Sequence, residues 1–326
     1  MKQPKRQQNR KRDTLHIFDR TIKYLLHETS PVNTVFLVNA LFDRHYAHDS
    51  PVRFEKTEKV RKRGKTLDLF HADILLNVAG DDFAIEFQMG DGEIIGLRLF
   101  EYGFRLAHGT KRMFGNGELI EMDLPDACVV FFENTKNTPG HITFRLKIKI
   151  GESFDYKIRV FKMEEQTLES LERQRLLLLL PFCLLRFRKE LERVKSAADG
   201  RREIAQKERQ TLDELENVLV RVRESGFLGT DDGILILESI SQMHEELYGT
   251  YQEFQEANMV VDERIKLRWA PYKRKLIKET RAETKAETES RIIGLFKQGH
   301  TVEEVEALLA RERAEEVAGT SPDTPR

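Results

Sequence analysis

Two carboxylates and one carboxamide, those of Asp73, Glu86 and Gln88, lie on either side of a turn signal that contains a glycine. The segments around them alternate apolar and polar residues, which is typical of paired β-strands. Two carboxylates that converge from neighbouring strands repel each other unless a cation lies between them. Because the set contains oxygen ligands and neither His nor Cys, it suits Mg²⁺ or Mn²⁺ rather than zinc.

A magnesium ion held by two carboxylates can polarise a phosphate, lower the pKa of a bound water and offset charge on a leaving oxygen. Asp73, Glu86 and Gln88 therefore predict a site for phosphodiester cleavage, with both acids as metal ligands. The alternative interpretation is that all three residues form the solvated face of an amphipathic hairpin. The metal hypothesis requires that both carboxylates face one pocket and that no basic side chain neutralises them.

The hairpin must have a particular register for these groups to meet. Its turn is predicted at residues 79–82 (AGDD), where glycine and aspartate favour tight turns. A turn centred between Gly80 and Asp81 places one apolar set of side chains on a common face, with Ile74, Leu76 and Val78 opposite Phe87, Ile85 and Phe83. The other face then pairs Asp73 with Gln88, Leu75 with Glu86 and Asn77 with Ala84. Asp73 and Glu86 become diagonal neighbours, with backbones about 7–8 Å apart.

The net charge of −1 conceals an uneven distribution. Residues 1–112 contain 20 Lys and Arg against 15 Asp and Glu, a local charge of +5, so the rest of the chain sums to −6. Six positive charges lie in residues 1–12 and seven in the segment Arg53–Lys65. Such clusters attract phosphate backbones, and the second contains three candidate DNA contacts, Arg61, Lys62 and Arg63. The alternative is a solubilising arm and a solvated loop.

A helix predicted over Glu93–His108 follows the hairpin and places Arg98 and Tyr102 one turn apart on a common face. These side chains could contact a DNA phosphate or brace the metal site. The alternative is that Tyr102 is half-buried core and Arg98 its surface neighbour. Arg105, with two further basic residues at 111 and 112, would extend a track for the DNA backbone.

The segments HADILL (His71–Leu76) and FAIEFQ (Phe83–Gln88) resemble the Asp…Glu-x-Gln variant of the PD-(D/E)XK nuclease core. The group that they resemble most is the recombination-promoting nuclease / putative transposase group. The resemblance extends to FDRTIKYLL (Phe18–Leu26) and to the Arg-x-x-x-Tyr pattern in GLRLFEY (Gly96–Tyr102). It covers roughly residues 15–185, about half of the chain.

This resemblance implies a Mg²⁺-dependent DNA endonuclease with a restriction-endonuclease-type core, in which a mixed sheet is flanked by helices. Its metal ligands would be Asp73, Glu86 and the main-chain carbonyl of Phe87. Gln88 stands where the superfamily usually has lysine, and Ala72 replaces the proline of the motif.

Cutting with low sequence specificity is expected, because the sequence contains no signal for base-edge readout. A link to recombination or mobile elements is also implied by the resemblance. The alternative function is a catalytically inactive nuclease-fold module that binds DNA or protein, because Gln88 can orient a water or a phosphate oxygen but cannot supply positive charge.

The elements that must position the site belong to an α/β domain predicted over residues 13–165. Helical spacing over 13–47 is interrupted around Pro31, and the apolar run Ala127–Glu133 predicts a buried strand. His141–Ile150 alternates apolar with polar residues, and the alternation resumes at Tyr156, which predicts a second hairpin. A disordered basic arm is expected at residues 1–12.

A long all-α region is predicted over residues 166–317, followed by a disordered tail at 318–326. The apolar run Leu176–Leu185 is too short to span a membrane, which takes about 20 residues, and predicts a buried helix. Residues 201–223 predict a charged helix with a narrow apolar stripe, ended by a break at Gly226–Gly233.

These helices could form coiled coils and mediate homo-oligomer formation, and a coiled-coil scaffold is a third functional hypothesis. At the C-terminal end, Arg291–Ala310 predicts two helices joined at Gly299, which could bind DNA or form a plain helical hairpin.

No secretory signal or membrane segment is present in the sequence, and the two cysteines, Cys128 and Cys183, are far apart. They form neither a metal-binding nor a redox pattern. A reduced, cytoplasmic protein with no membrane partner is the expectation.

Overall fold

A computed structural model of the chain describes residues 5–55, 58–63, 66–71, 74–89, 95–149, 151–194 and 198–255, together with Trp269. Its side chains are described over 17–55 and from residue 74 onward within those ranges. The chain divides into two compact units, residues 1–266 and 267–326, and the helices and strands named below belong to the first.

The described chain contains α-helices, β-strands and short 3₁₀ segments. The helices are α1 (Lys5–Glu28), α2 (Pro31–Phe42), α3 (Ile95–Gly109), α4 (Leu168–Gln174), α5 (Arg186–Arg193), α6 (Ala198–Glu224) and α7 (Thr230–Tyr248). The strands are β1 (Val52–Phe54), β2 (Glu58–Arg63), β3 (Thr66–His71), β4 (Ile74–Val78), β5 (Asp81–Met89), β6 (Arg112–Phe114), β7 (Leu119–Glu121), β8 (Asp126–Glu133), β9 (Ile142–Lys147) and β10 (Ser153–Lys162). The 3₁₀ segments are Gly115–Gly117, Met163–Glu165, Leu177–Leu185 and Gln252–Phe254.

A six-stranded mixed sheet forms the centre of the first unit, in the order β1-β4-β5-β8-β10-β9. Strands β5, β8 and β10 run parallel to one another, and the remaining neighbours are antiparallel. β2 pairs with β3 and β6 with β7 in two separate ribbons. The predicted mixed sheet flanked by helices is confirmed, as are the buried strand β8 and the hairpin of β9 with β10. The assignment to the PD-(D/E)XK fold stays a prediction.

The predicted register of the first hairpin is wrong by two residues. Ile74 lies opposite Ile85 rather than Phe87, Leu75 opposite Ala84, and Asn77 opposite Asp82. Because the side-chain period of a strand is two residues, a shift of two keeps every side chain on its predicted face. The apolar face is therefore as expected, although each residue meets a different partner.

The shift arises from the turn, which has two residues rather than four. Ala79 (φ 54°) and Gly80 (φ 103°) both adopt positive φ, the conformation of the tight turns that match the twist of a hairpin. The Asn77 side chain closes this turn, since its Oδ1 accepts from the Gly80 N–H at 3.1 Å and its Nδ2 donates to Asp82 at 2.7 Å. Alanine gives no signal for positive φ, so the sequence pointed to a wider loop.

One face of the sheet packs against α2 and the 3₁₀ segment Leu177–Leu185. Its core is aromatic, with ring centroids 4.7 Å apart for Phe42 and Phe83, and 4.3 Å apart for the stacked rings of Phe132 and Phe182. α2 begins at Pro31, whose fixed φ suits the first position of a helix. The interruption predicted around Pro31 is thus the junction between α1 and α2.

The opposite face of the sheet is covered by α3. A buried apolar cluster joins the helix to the strands, formed by Leu75, Ala84, Ile95, Leu99, Tyr102, Ala127, Val129, Phe131, Tyr156 and Ile158. The Tyr156 hydroxyl donates to the Pro125 carbonyl at 2.7 Å beneath the helix. Burial raises the pKa of that phenol, so it stays a neutral donor.

The helices that follow the sheet pack onto the same compact unit. All nine residues of Leu177–Leu185 are buried, which confirms the predicted buried helix, and Pro181 lies within it. α6 confirms the predicted charged helix over residues 201–223 and packs on α4, α5 and α7. α7 begins at Thr230, inside the predicted break, and packs on α1.

Several predictions concern segment boundaries. α1 begins at Lys5, so residues 5–12 of the predicted disordered arm are helical, and one compact unit contains the helices on both sides of residue 165. The predicted domain boundary at residue 165 implies that residues 13–165 fold without the helices that follow, and this stays a prediction. The helical hairpin at 291–310 and the tail at 318–326 lie outside the described residues. Among the helices that are described, none has the length and apolar character needed to cross a membrane.

Candidate functional site

Glu86 lies in the middle of β5, on the face of the sheet that α3 covers. Ala84, two residues before it, and Val129, its partner on β8, both belong to the apolar cluster beneath α3. The side chain of Glu86 is only 3% exposed. A carboxylate in such surroundings loses its hydration, which costs several kcal/mol unless a partner replaces it.

Arg98 on α3 is a partner of this carboxylate. Its Nη2 donates to Oε1 of Glu86, and the two groups form an ion pair. The helix places Arg98 directly before Leu99, which is fully buried, so the guanidinium can reach inward while 46% of the side chain stays exposed. Arg98 therefore lies against Glu86. Its two functional alternatives, contacting a DNA phosphate and bracing a metal site, stay predictions.

The same contact bears on the metal hypothesis, which required that no basic side chain neutralise the acids. In this structure Arg98 neutralises Glu86. Asp73, the other predicted ligand, lies outside the described residues, so the shared pocket stays a prediction. Within the described residues, no group of three or more His, Cys, Asp and Glu side chains is arranged to hold a metal ion.

Gln88 and Phe87 continue β5 beyond Glu86 on opposite faces. Gln88 is half-buried opposite Phe131, on the same side of the sheet as Glu86, and the Phe87 ring stacks on Phe132 with centroids 5.6 Å apart. The register between β5 and β8 shifts immediately after Gln88. Such irregularities re-aim side chains and are common next to active sites. The metal-ligand role of the Phe87 carbonyl stays a prediction.

The residues predicted to contact DNA are distributed over two elements. Tyr102 is buried in the cluster between α3 and the sheet, at 8% exposure, and Arg105 is half-buried on the same helix. Arg61, Lys62 and Arg63 lie in β2, opposite Asp68, Leu67 and Thr66 of β3. A β-ribbon, rather than a loop, therefore contains these three cations; their side chains are outside the described set.

Sequence spacing did not reveal two contacts between ionisable side chains that are distant in sequence. Glu133, at the end of β8, accepts two hydrogen bonds from Arg188 at 2.7 and 2.6 Å, and this pairing raises the pKa of the arginine. His244 on α7 pairs through Nδ1 with Glu208 on α6, and both side chains are fully buried. The partners are 55 and 36 residues apart in sequence, so no local pattern could have indicated them.

Neither the cysteines nor a cleft beside Phe182 forms part of this site. Burial raises the pKa of Cys128 and of Cys183 to about 12, which keeps both thiols protonated and unreactive. A cleft of about 520 Å³ is lined by Phe132, Phe182 and Cys183 together with four glutamates, Glu164, Glu165, Glu169 and Glu214. Glu86 does not line it. Arg186 also lines the cleft, but the four glutamates outnumber it, and a mainly acidic wall does not suit a phosphate.

Comparison of the chain with models of protein families, with curated proteins and with solved structures found no match. The resemblance to the nuclease superfamily therefore stays a prediction.

Proposed function

We propose that this chain is a metal-dependent DNA endonuclease that hydrolyses phosphodiester bonds with low sequence specificity and acts with Mg²⁺ or Mn²⁺. A role linked to recombination or mobile elements is part of this proposal. The observation that supports it best is the carboxylate of Glu86, which is buried against an apolar cluster and compensated by a half-exposed arginine.

The energetics of that carboxylate favour a functional explanation. Replacing a buried ion pair with well-packed apolar residues is often neutral or stabilising by about 1–4 kcal/mol. Glu86 is surrounded by side chains that could extend such an apolar core, including Ala84, Val129 and Leu99. A charged residue at this position is therefore better explained by chemistry than by stability.

The oxygen atoms of Glu86 and Phe87 are ligands of the kind that a hard metal ion prefers. Oε1 of Glu86 is bound by Arg98, whose 46% exposed side chain can turn toward solvent and release it. The ligands would then be Glu86, Asp73 and the main-chain carbonyl of Phe87. When bound there, such an ion supplies Lewis-acid polarisation of the phosphate and a water of lowered pKa. Gln88 would orient the water or a phosphate oxygen by hydrogen bonding.

Nicking of supercoiled plasmid in the presence of Mg²⁺ tests the proposal. Asp73→Asn and Glu86→Gln are expected to lower the nicking rate about 100-fold or more, because each removes a ligand charge. Glu101→Gln is the matched control, since Glu101 is an exposed acid on α3 near Arg98 in sequence. Nicking that survives both ligand substitutions at the wild-type rate would contradict the proposal.

The second candidate function is a catalytically inactive nuclease-fold module that binds DNA or protein. It is favoured by the Arg98–Glu86 ion pair, which places a cation from the chain itself where a metal is proposed. The two candidates differ in their response to Mn²⁺. Under the endonuclease proposal, Mn²⁺ raises the thermal midpoint of the wild type and not that of Glu86→Gln, because only the wild type binds the ion. DNA binding without nicking and without a Mn²⁺-dependent shift would establish the inactive module.

A further inference from the structure

The outer strands β9 and β10 present a basic surface on the face of the sheet opposite Glu86. Register defines the two faces: Ile158 pairs with Ala127 and Ala127 with Ala84, so these residues share the face of Glu86. The odd-numbered residues of β9 and β10 therefore point to the other face. They include four basic residues, Arg145, Lys147, Lys157 and Arg159, which are called the basic face below.

Among the described helices, α2 packs on this face and contacts β10, but it leaves the basic side chains in solvent. All four side chains of the basic face are exposed, whereas Tyr156 and Ile158, which alternate with them along β10, are buried beneath α3. Thr143 and Ser153, which lie opposite Lys157 and Lys147, are exposed as well. The surface around these four cations is thus open to solvent and polar, and the half-buried Phe161 lies at its end on β10.

Positive charge on this face exceeds the negative charge near it. Asp155 accepts hydrogen bonds from Arg145 at 2.5 and 2.6 Å, and Asp126, on the same face of β8, accepts one from Arg44 at 2.6 Å. The hydrogen bond from Arg145 is the main cause of the lowered pKa of Asp155, and the charge of Lys157 adds to it. Each acid is therefore satisfied by an arginine.

Three cations remain in excess on the basic face. Lys147, Lys157 and Arg159 form no ion pair with any side chain in the described ranges. A carboxylate that is already paired cannot neutralise them, so their charge is available to an external anion.

The spacing of the cations indicates the size of that anion. Lys157 and Arg159 are two residues apart on one strand, or roughly 6.6 Å. Lys147 lies opposite Ser153, six residues before Arg159, so the row extends over roughly 20 Å. A single phosphate cannot contact the whole row. Duplex DNA, with one charge per about 1.7 Å of its axis, presents about a dozen charges over that length.

The polar character of the surface distinguishes nucleic acid from an anionic membrane. Proteins that lie on membranes insert apolar side chains between their cations. Leu146 and Phe154, two exposed apolar residues of this hairpin, are cross-strand partners on the face of the sheet opposite to it, and the exposed Ile148 lies beyond the end of β9.

We infer that the basic face is a docking surface for the phosphate backbone of DNA. This surface is separate from the candidate site at Glu86, since the two lie on opposite faces of the sheet. It needs no metal ion and reads no base edges, because lysine and arginine on an exposed strand contact phosphates irrespective of sequence. The inference does not depend on the proposed cleavage.

Binding of a fluorescent 20-base-pair duplex in EDTA, measured by anisotropy over a range of salt concentrations, tests the inference. The test variant is Lys147→Gln/Lys157→Gln/Arg159→Gln. Its dissociation constant is expected to rise at least tenfold, and the slope of log K against log salt to fall by about 2–3, because each lost phosphate contact removes about 0.9.

The matched control is Lys136→Gln/Arg173→Gln/Arg209→Gln, which removes the same charge from exposed cations on a loop, α4 and α6. It is expected to keep the wild-type slope. Equal weakening of binding in the test and control variants would overturn the inference, as would a wild type that binds anionic vesicles but not the duplex. Thermal unfolding of both variants shows whether a loss of binding reflects a loss of folding.

The fates of the two proposals can be told apart. If the wild type does not nick plasmid but the test variant still loses duplex binding in EDTA, the docking surface is supported and the endonuclease proposal is contradicted. If nicking depends on Glu86 while the test variant binds DNA like the wild type, the endonuclease proposal is supported and the docking surface is contradicted.

Discussion

The Glu86–Arg98 ion pair joins a fully buried group to a half-exposed one. The carboxylate has left water almost completely, at 3% exposure, whereas the arginine keeps 46% of its side chain in solvent. Loss of the arginine removes this cation from a buried charge, but loss of the carboxylate leaves an arginine that solvent can hydrate. The two partners therefore contribute unequally to stability.

This asymmetry predicts a non-additive double-mutant cycle. Arg98→Met alone is expected to lower the free energy of unfolding by about 1–3 kcal/mol, because it leaves the Glu86 carboxylate buried without its cation. Adding Glu86→Gln should recover a large part of that loss, because a neutral carboxamide is less costly to bury. Urea unfolding of the wild type, both single variants and the double variant measures the coupling energy. Additive effects of the two substitutions would show that the ion pair does not compensate the carboxylate.

At the scale of elements, the position of α3 on the sheet decides where Arg98 lies. The helix approaches its neighbours closely at two glycines, Gly96 and Gly103. At Gly103 a Cβ atom would lie 3.1 Å from Cδ of Pro125 and 3.4 Å from the Tyr156 hydroxyl oxygen. A side chain at residue 103 would push the helix away from the strands. The absence of one lets the helix pack closely over the cluster and brings Arg98 within reach of Glu86.

Gly103→Ala and Gly109→Ala form a matched pair on this helix. Gly103→Ala is expected to destabilise the protein by about 1–3 kcal/mol, since overpacking against Pro125 outweighs the gain in helix propensity. Gly109, at the end of α3, has no atom within 4 Å of the added Cβ, so Gly109→Ala should stabilise by about 0.5–1 kcal/mol. Thermal or urea unfolding measures both changes. A neutral effect at residue 103 would mean that the helix can shift without cost.

Elements also show how far sequence patterns determine structure. The alternation in β9 and β10 and the apolar run in β8 predicted their strands, because burial of one face or both requires those patterns. The predicted register of β4 with β5 was wrong by two residues. Ala79 adopts a positive φ, and alanine is not a residue type that predicts this conformation. Hydrogen bonding by Asn77 and the twist of the hairpin select that turn.

At the scale of the whole molecule, the sheet depends on helices from both ends of the described chain. Phe132 of β8 stacks on Phe182 of the 3₁₀ segment, and Phe18 of α1 contacts both rings, with centroids 6.2 and 6.4 Å away. The segment Leu177–Leu185 is wholly buried between these elements. The face of the sheet opposite α3 is therefore completed only after residue 165.

A chain that ends at residue 165 is consequently expected not to fold. The shorter chain exposes Phe132 and lacks the nine buried residues of Leu177–Leu185. Burial of each large apolar side chain stabilises a protein by about 1.5–3 kcal/mol, whereas the net stability of a domain is about 5–15 kcal/mol. The loss therefore exceeds the stability available. A chain that ends at residue 266 keeps the compact unit and should unfold cooperatively in urea. Near-ultraviolet circular dichroism and urea titration compare the two. Cooperative unfolding of the shorter chain would support the predicted domain boundary at residue 165. Self-association through the helices stays a prediction that neither chain length tests.

The sequence by itself determined much of the local structure: the strands β4, β5, β8, β9 and β10, the faces on which their side chains lie, the main helical segments, and the candidate residues Glu86, Gln88 and Arg98. These follow from periodicity and residue type, which act over a few neighbouring residues. Only the tertiary structure decided that Arg98 pairs with Glu86 and that Tyr102 is core. It also decided that three cations with no ion pair in the described ranges share an exposed face of β9 and β10. Such contacts depend on turn conformation, on the parallel pairing of β5 with β8, and on how closely α3 can approach the sheet. These are set by the packing of distant segments, which no local pattern specifies.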